Sequence, residues 1–291
     1  MKRGLRALLR NSIAKQLKKH SYVHREDFVR PYIVKKHIEG VDFLLSITDS
    51  HAKLWYDLYC TDPVWVEMRF IRDNLIRSED VVFECGSHHG CTAILLAHWV
   101  GAHGVVYAFE PGKGNYDVLR ENISLNNMTN VVPINAAVGN ANDVVYFTEY
   151  PNGSMDSQVT RRSKGHVKQL ETCYAMQQVS LDNCGLDNPS LIKIDTQGYV
   201  YEPLQGMRKI ITEQKPNLAL EIDSKETVEK YGDNFENIFE IIKQDEYIYF
   251  IQFDAREEPQ QIEHSKILQE WEKKNGFTKE IHLYAKNSRN R

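Results

Sequence analysis

From about residue 80 onward, short apolar runs alternate with longer stretches whose apolar residues recur at helical spacing. The pattern predicts strands at 81–85, 104–109, 131–135, 191–195, 217–222, 247–253 and 280–285, and helices at 89–100, 113–126, 199–213 and 234–245. Strands that alternate with helices argue for an α/β fold, a mostly parallel sheet covered on both faces. In such a sheet the ligand lies beyond the carboxyl ends of the strands. Glu84, Glu110, Asn135, Asp195 and Glu221 all fall at such ends. Two stretches interrupt the rhythm. Asp143 to Glu149 reads as an extra strand, and Tyr150 to Gln178 as a long polar loop, either a lid over the substrate or disordered. Glu257 to Lys274 reads as a charged, solvated helix without chemistry.

Before this region, Tyr32–Ile38 and Val41–Ile47 flank Glu39-Gly40 and predict a hairpin, with a helix following to Tyr59. Asp62-Pro63 marks a helix start, after which Val64, Met68, Ile71 and Leu75 share one face. Residues 1–60 form an extension too small to hold a core of its own, and residues 61–291 form the main domain. Through Lys19 the extension carries Lys2, Arg3, Arg6, Arg10, Lys15, Lys18 and Lys19 and no acid, with Leu5, Leu8, Leu9, Ile13 and Leu17 at helical spacing. Such a basic amphipathic helix suits peripheral contact with an anionic membrane surface through residues 1–20. A terminal helix packed on the domain or frayed is the commoner case, and the reading preferred here.

Composition narrows the picture. With a net charge of −4 the chain has no overall attraction for nucleic acid, and its only dense basic segment is the N-terminal one. Nor does the Asn/Asp-Pro-Pro-aromatic motif of amino-group methylation occur. The cysteines, Cys60, Cys85, Cys91, Cys173 and Cys184, number five and form no Cys-x-x-Cys pair, so neither a zinc site nor a disulfide framework is indicated. A reducing, cytoplasmic setting is expected, since no apolar stretch is long enough to span a bilayer.

The chemistry centres on Glu84-x-Gly86-x-x-x-Gly90, between the strand at 81–85 and the following helix. A glycine turn there brings backbone N–H groups and a helix N-terminus to a ligand. Glu84 puts a negative charge where a dinucleotide would place its pyrophosphate, so a cationic ligand such as S-adenosylmethionine (SAM) suits it better. One βα unit later, Glu110 closes the strand at 104–109, where an acid accepts hydrogen bonds from both ribose hydroxyls.

These residues resemble the FkbM-type family of SAM-dependent O-methyltransferases over roughly residues 80–253. Val82-Phe-Glu84-x-Gly86-x-x-x-Gly90 looks like its first SAM motif. Tyr107-Ala-Phe-Glu110-Pro111 with Asn122-Ile-Ser-Leu-Asn126 is similar to its second, and Ala136-Ala-Val-Gly139 to its third. Ser180-Leu-Asp182, Leu191-Ile-Lys-Ile-Asp195-x-x-Gly198-Tyr199 and Pro216-x-Leu-x-x-Glu221 resemble the most distinctive run. The resemblance implies a class I methyltransferase fold, Rossmann-like, seven-stranded, with the last strand antiparallel. It also implies methylation of a hydroxyl, often on a sugar or polyketide. The chain departs from the family at Thr196-Gln197, where Val-Glu is common, and at Ser87-His88, where Ala-Asn is common.

The residues expected to hold the cofactor are Glu84, Gly86, Ser87, His88, Gly90, Glu110, Pro111, Asn135 and Ala136. Methyl transfer is an in-line displacement needing alignment and a proton acceptor. Asp195 is expected near the acceptor, with His88 the alternative base and Glu221 beside them. Asp195 as a helix cap, and His88 as a partner of the methionine carboxylate, are the non-catalytic alternatives. Lys193, two residues earlier on the same side, is either oriented to the site or a buried ion-pair partner. A divalent metal held by the acidic rim is a further option, with no ligand set assigned. The expected acceptor is a small molecule or glycan. The rival readings are a nicotinamide-dependent oxidoreductase and a non-catalytic SAM-binding module.

Overall fold

A computed structural model describes residues 30–60, 65–149, 158–160, 172–232, 234–254, 257–275 and 280–289. The basic segment 1–20 and the Asp62-Pro63 helix start lie outside the described residues. The hairpin forms as the pattern predicts, with β1 (Tyr32–Ile38) antiparallel to β2 (Val41–Ile47). The helix expected next is a turn at Ser50–Ala52 that widens into a π-helical stretch, Lys53–Tyr59. Asp49 caps it, its side chain accepting from the backbone N–H groups of His51 and Ala52.

The main domain begins with α1 (Val66–Asn74), β3 (Val81–Cys85), α2 (Cys91–Val100), β4 (Val105–Phe109), α3 (Lys113–Leu125) and β5 (Val131–Ile134). A small mixed sheet follows, with β6 (Ala137–Val138), β7 (Asp143–Glu149), β8 (Gln158–Thr160) and β9 (Thr172–Val179), in which β6 is parallel to β9 and β7 antiparallel to β8 and β9. The chain then resumes with β10 (Leu191–Ile194), α4 (Tyr201–Gly206), α5 (Arg208–Glu213), β11 (Asn217–Ile222), α6 (Lys225–Lys230), α7 (Phe235–Ile242) and β12 (Tyr247–Gln252). It ends with β13 (Gln260–Ile262), α8 (Ile267–Asn275) and β14 (Ile281–Asn287).

Among the described residues the large sheet runs β13-β12-β14-β11-β10-β3-β4-β5. Strands β5, β4, β3, β10 and β11 are parallel neighbours, and β14 is antiparallel to both β11 and β12. This is the class I methyltransferase order, with the antiparallel last strand. The sheet has eight strands where seven were expected, because β13 adds an edge strand antiparallel to β12.

The extra strand comes from the stretch read as a solvated helix, and that reading is corrected. Its C-terminal part is helical, but Ile267 and Trp271, one turn apart, are fully buried and Trp271 packs on Phe235 at 4.2 Å. One buried indole covers as much apolar surface as several small side chains. The long polar loop also shrinks, since Thr172–Val179 is a strand pairing with β7 and β6. The helix expected at 199–213 is two, Tyr201–Gly206 and Arg208–Glu213, broken at Met207; beside the break, Gly206 passes so close to Gly139 that a Cβ would overlap its carbonyl.

Strand alternation sorts the sheet into two cores. Phe83, Cys85, Phe109, Ile192, Ile194, Leu218, Leu220 and Leu283 face α4, α5, α7 and α8. Val82, Val106, Ala108, Leu191, Ala219 and Tyr284 face α1, α2, α3 and the β1–β2 hairpin. The hairpin therefore shares the domain's core. Asn122 of α3 and Asn126, which caps its C-terminus, fasten it by accepting from the backbone N–H groups of Ser46 (2.7 Å) and Leu44 (2.8 Å), respectively. Both asparagines belong to the second sequence motif, so that motif secures the extension to the domain.

Candidate active site

The polar residues on the α1–α2 face form a row across the carboxyl ends of neighbouring strands. Register places Glu84 of β3 opposite Lys193 of β10, and Glu221 of β11 opposite His282 of β14. Asp195 directly follows β10, and its backbone N–H donates to Cys85 O at 3.0 Å. Glu110 directly follows β4, and its N–H donates to Ile134 O at 3.0 Å.

Between β3 and α2 the chain turns through Gly86 (φ 89°), His88 (φ 49°) and Gly90 (φ 82°). Gly86 is required twice over: its φ is left-handed, and a Cβ there would overlap the carbonyl oxygen of Asp195. The turn is pinned to β4, with Gly86 N and Ser87 N both donating to Phe109 O, at 2.9 and 3.0 Å. Glu110 then grips the turn from the other side. Its Oε2 accepts from His88 N at 2.8 Å, and its Oε1 from Gly112 N at 2.8 Å and Asn115 Nδ2 at 3.3 Å.

Glu84 is fully buried, and neither carboxylate oxygen has a hydrogen-bond partner of good geometry among the described residues. Burial raises its pKa, against the pull of the Lys193 ammonium and the nearby Thr92 and Ser87 hydroxyls. A buried carboxylate left in this state needs a cation or strong donors. The SAM ammonium fits that need, which is the physical test of whether this site suits the expected cofactor.

Burial also pushes Glu110 up to about 7, although the donors from Gly112, His88 and Asn115 favour its anion. The ribose contact expected of Glu110 from the sequence would use that anion. We therefore expect the Kd for S-adenosylhomocysteine, measured by calorimetry, to be flat above pH 7 and to rise by about tenfold per unit below it. Stability of the ligand-free fold should run the other way. A raised carboxyl binds more protons folded than unfolded, so its contribution is full below the ordinary carboxyl pKa and is lost as pH rises through about 7.

On the other side of the turn, Lys193 Nζ donates to Asp195 Oδ2 at 3.1 Å. Burial alone would raise Asp195, but the Lys193 charge and hydrogen bond, helped by His282 and by Glu221, hold it below the usual carboxylate range. Glu221 goes the opposite way: burial first, then the Asp195, Glu280 and Asp223 carboxylates, push it well up. Of this pair, the surroundings favour the charge on Asp195 and the proton on Glu221. Gln197 Nε2 donates to Glu221 Oε1 at 3.4 Å, so the substituted position still meets the acidic rim, now as a neutral donor.

Asn135 and Pro111 are engaged differently from Glu84 and Glu110. Asn135 Nδ2 donates to the carbonyls of Glu110 (2.8 Å) and Pro111 (3.1 Å), bracing the loop after β4, while Ala136 is buried beside it. His88 and His89 stack at 4.0 Å. Burial drops His89 to about 4, so it is neutral in solution near pH 7. Among the described residues no group of three or more His, Cys, Asp or Glu side chains is arranged to hold a metal ion.

Three residues escaped the sequence reading. Asp223, two past Glu221 on the same alternation, is raised to about 7 by burial and by Glu280 and Asp195. His282 sits at the β14 register opposite Glu221, with its Nδ1 3.8 Å from Glu67 Oε1 on α1. Tyr56 reaches the turn from the N-terminal extension, its hydroxyl 2.8 Å from His88 Nδ1. Only Asp223 had a local signal, its parity with Glu221.

The Methyltransferase FkbM domain profile matches residues 84–255. Among solved structures, the chain is similar to methyltransferase FkbM from Methylobacillus flagellatus KT (16% identity, 75% of this chain and 50% of that one, TM-score 0.44). It is also similar to a SAM-dependent O-methyltransferase from Thermotoga maritima (12% identity, 89% and 79% covered, TM-score 0.43). A third similar structure is TYW2 of M. jannaschii with AdoMet (16% identity, 89% and 87% covered, TM-score 0.43). The chain thus spans half the length of the M. flagellatus protein. No curated protein matches it.

Proposed function

We propose that this chain, which belongs to the FkbM family of SAM-dependent methyltransferases, transfers its methyl group to a hydroxyl, and that the hydroxyl belongs to a sugar in a glycan or glycoconjugate. The observation that carries the hydroxyl reading is the Lys193–Asp195 pair, an anionic carboxylate held beside the cofactor turn by a buried ammonium. The sugar part rests on the family resemblance alone.

When bound, the cofactor supplies an electrophilic methyl on its sulfonium. Glu84 would hold the ammonium of the methionine moiety, and Glu110, which braces the glycine turn through His88 N and Gly112 N, would accept from the ribose hydroxyls. Asp195 orients the acceptor hydroxyl and takes its proton as the oxygen attacks. Lys193 keeps Asp195 anionic until then. Glu221, protonated, gives the carboxylate pair a single negative charge instead of two. A weak base suffices, because the acceptor oxygen becomes acidic only as the new bond forms.

The test is to incubate the protein with SAM and candidate glycans and to look for a methyl ether by mass spectrometry. We expect one in the glycan fraction. Methylation confined to protein or nucleic acid would overturn the proposal. The proposed setting is cytoplasmic, and among the described residues no helix is long and apolar enough to cross a membrane.

A further inference from the structure

Tyr56 lies outside the residues that the family profile matches, yet the extension delivers it into the cofactor turn. Its ring tilts over both imidazoles of the turn, with centroids 5.6 Å from His88 and 5.8 Å from His89. It sits in a π-helical stretch, a geometry that recurs at functional sites because the extra residue per turn re-aims a side chain. The same extension meets His89 through Asp49, whose Oδ2 lies 3.7 Å from His89 Nε2.

The hydrogen bond between Tyr56 and His88 fixes a tautomer. The Tyr56 phenol is kept protonated by burial, with the Cys91 and Cys60 thiols and the Asp195 and Glu110 carboxylates adding to the effect. Its hydroxyl makes one hydrogen bond among the described residues, to His88 Nδ1 at 2.8 Å. A buried O–H that donates nowhere is costly, so the proton points at Nδ1. A neutral imidazole that accepts on Nδ1 carries its own proton on Nε2. His88 is then a donor on its far edge and not a base.

We propose that Tyr56 is part of the cofactor site: it fixes His88 as an Nε2–H donor to the carboxylate of the SAM methionine moiety. The chemistry of the turn favours this partner. Glu84 and Glu110 are acceptors that serve the ammonium and ribose, and the methionine carboxylate is the one anionic group of the cofactor that still requires donors. His88 is also the residue whose backbone N–H reaches Glu110 Oε2, so one residue links the extension to the ribose acid. The inference rests on the SAM site described above and is independent of the acceptor. Tyr56 acts through His88, as a positioning residue.

The test compares two ligands on purified protein. S-adenosylhomocysteine carries the carboxylate, and 5′-methylthioadenosine lacks the amino-acid portion. Tyr56→Phe keeps the ring and removes the hydroxyl. We expect its Kd for S-adenosylhomocysteine to rise about tenfold, with the Kd for methylthioadenosine within about twofold of the parent's. A merely structural role would weaken both ligands alike, and that result, or no change in either, overturns the proposal. In a His88→Ala background Tyr56→Phe should add nothing further; additive losses count against it. Should the variant fail to fold, nitrogen-15 spectra of histidine-labelled parent protein report the tautomer directly. A His88 proton on Nδ1 refutes the assignment, and parent protein that binds neither ligand removes the cofactor reading along with it.

Discussion

Glu84→Gln is expected to raise the Kd for S-adenosylhomocysteine by about 100-fold, some 2.7 kcal/mol, while leaving the ligand-free protein as stable as the parent or more so. The two halves of this result have one cause. Glu84 is a carboxylate placed wholly out of water with both oxygens short of partners. The nearest countercharge, Lys193, lies opposite it across the β3–β10 register but hydrogen-bonds Asp195. Such a group weakens the empty fold and gains its compensation only when a cation arrives. The amide keeps the shape, loses the desolvation cost, and loses the attraction for the ligand ammonium. Lys193 still has Asp195, so no ammonium is stranded by the change. Calorimetry for binding and thermal melts for stability separate the two effects. A Kd within about threefold of the parent's would show that Glu84 does not face the cofactor.

The strands, their order along the chain and the acids at their ends were readable because each rests on local pattern: alternation, a glycine turn, an acid after an apolar run. That pattern also set which side each residue faces, so Glu84, Lys193 and Asp195 arrive together once the strands pair in parallel. Most of what stayed hidden depends on neighbours far away in sequence. In β9 the inward positions include Gln178, which holds Tyr199 Oη at 2.9 Å and the Ala141 carbonyl at 3.1 Å. A polar residue facing in erases the alternation that marks a strand, and the segment read as loop. In α8 the buried side chains among those described are Ile267 and Trp271, set among charged residues that suggested a solvated helix. Helix α6 follows Ser224, whose Oγ accepts from Thr227 N at 3.4 Å, a capping signal that was present and passed over. Tyr56 had no local signal at all. Its place at the turn comes from the docking of the extension on Asn122 and Asn126, which no periodicity encodes.

The second large effect belongs to the acceptor side. Asp195→Asn should lower kcat by about 10²- to 10⁴-fold, the range for loss of a positioned proton acceptor, with the Kd for S-adenosylhomocysteine within about threefold of the parent's. The fold should survive the change. Lys193 has other carboxylates around it in Glu84, Glu67 and Glu221, and loss of the Asp195 charge removes one of the causes, second to burial, that favour the proton on Glu221. What is lost is the carboxylate on the chain segment that touches the glycine turn through Cys85 O and Gly86. Rate is lost because the acceptor oxygen is no longer met where the methyl is presented. Glu221→Gln makes the contrast: the surroundings already favour the proton on Glu221, so a neutral amide there should cost less than about tenfold in kcat. The measurement is steady-state methyl transfer to whichever glycan the parent methylates, at saturating SAM. If Asp195→Asn retains more than about a fifth of the parental kcat, or if Glu221→Gln is the more damaging change, Asp195 is not the proton acceptor.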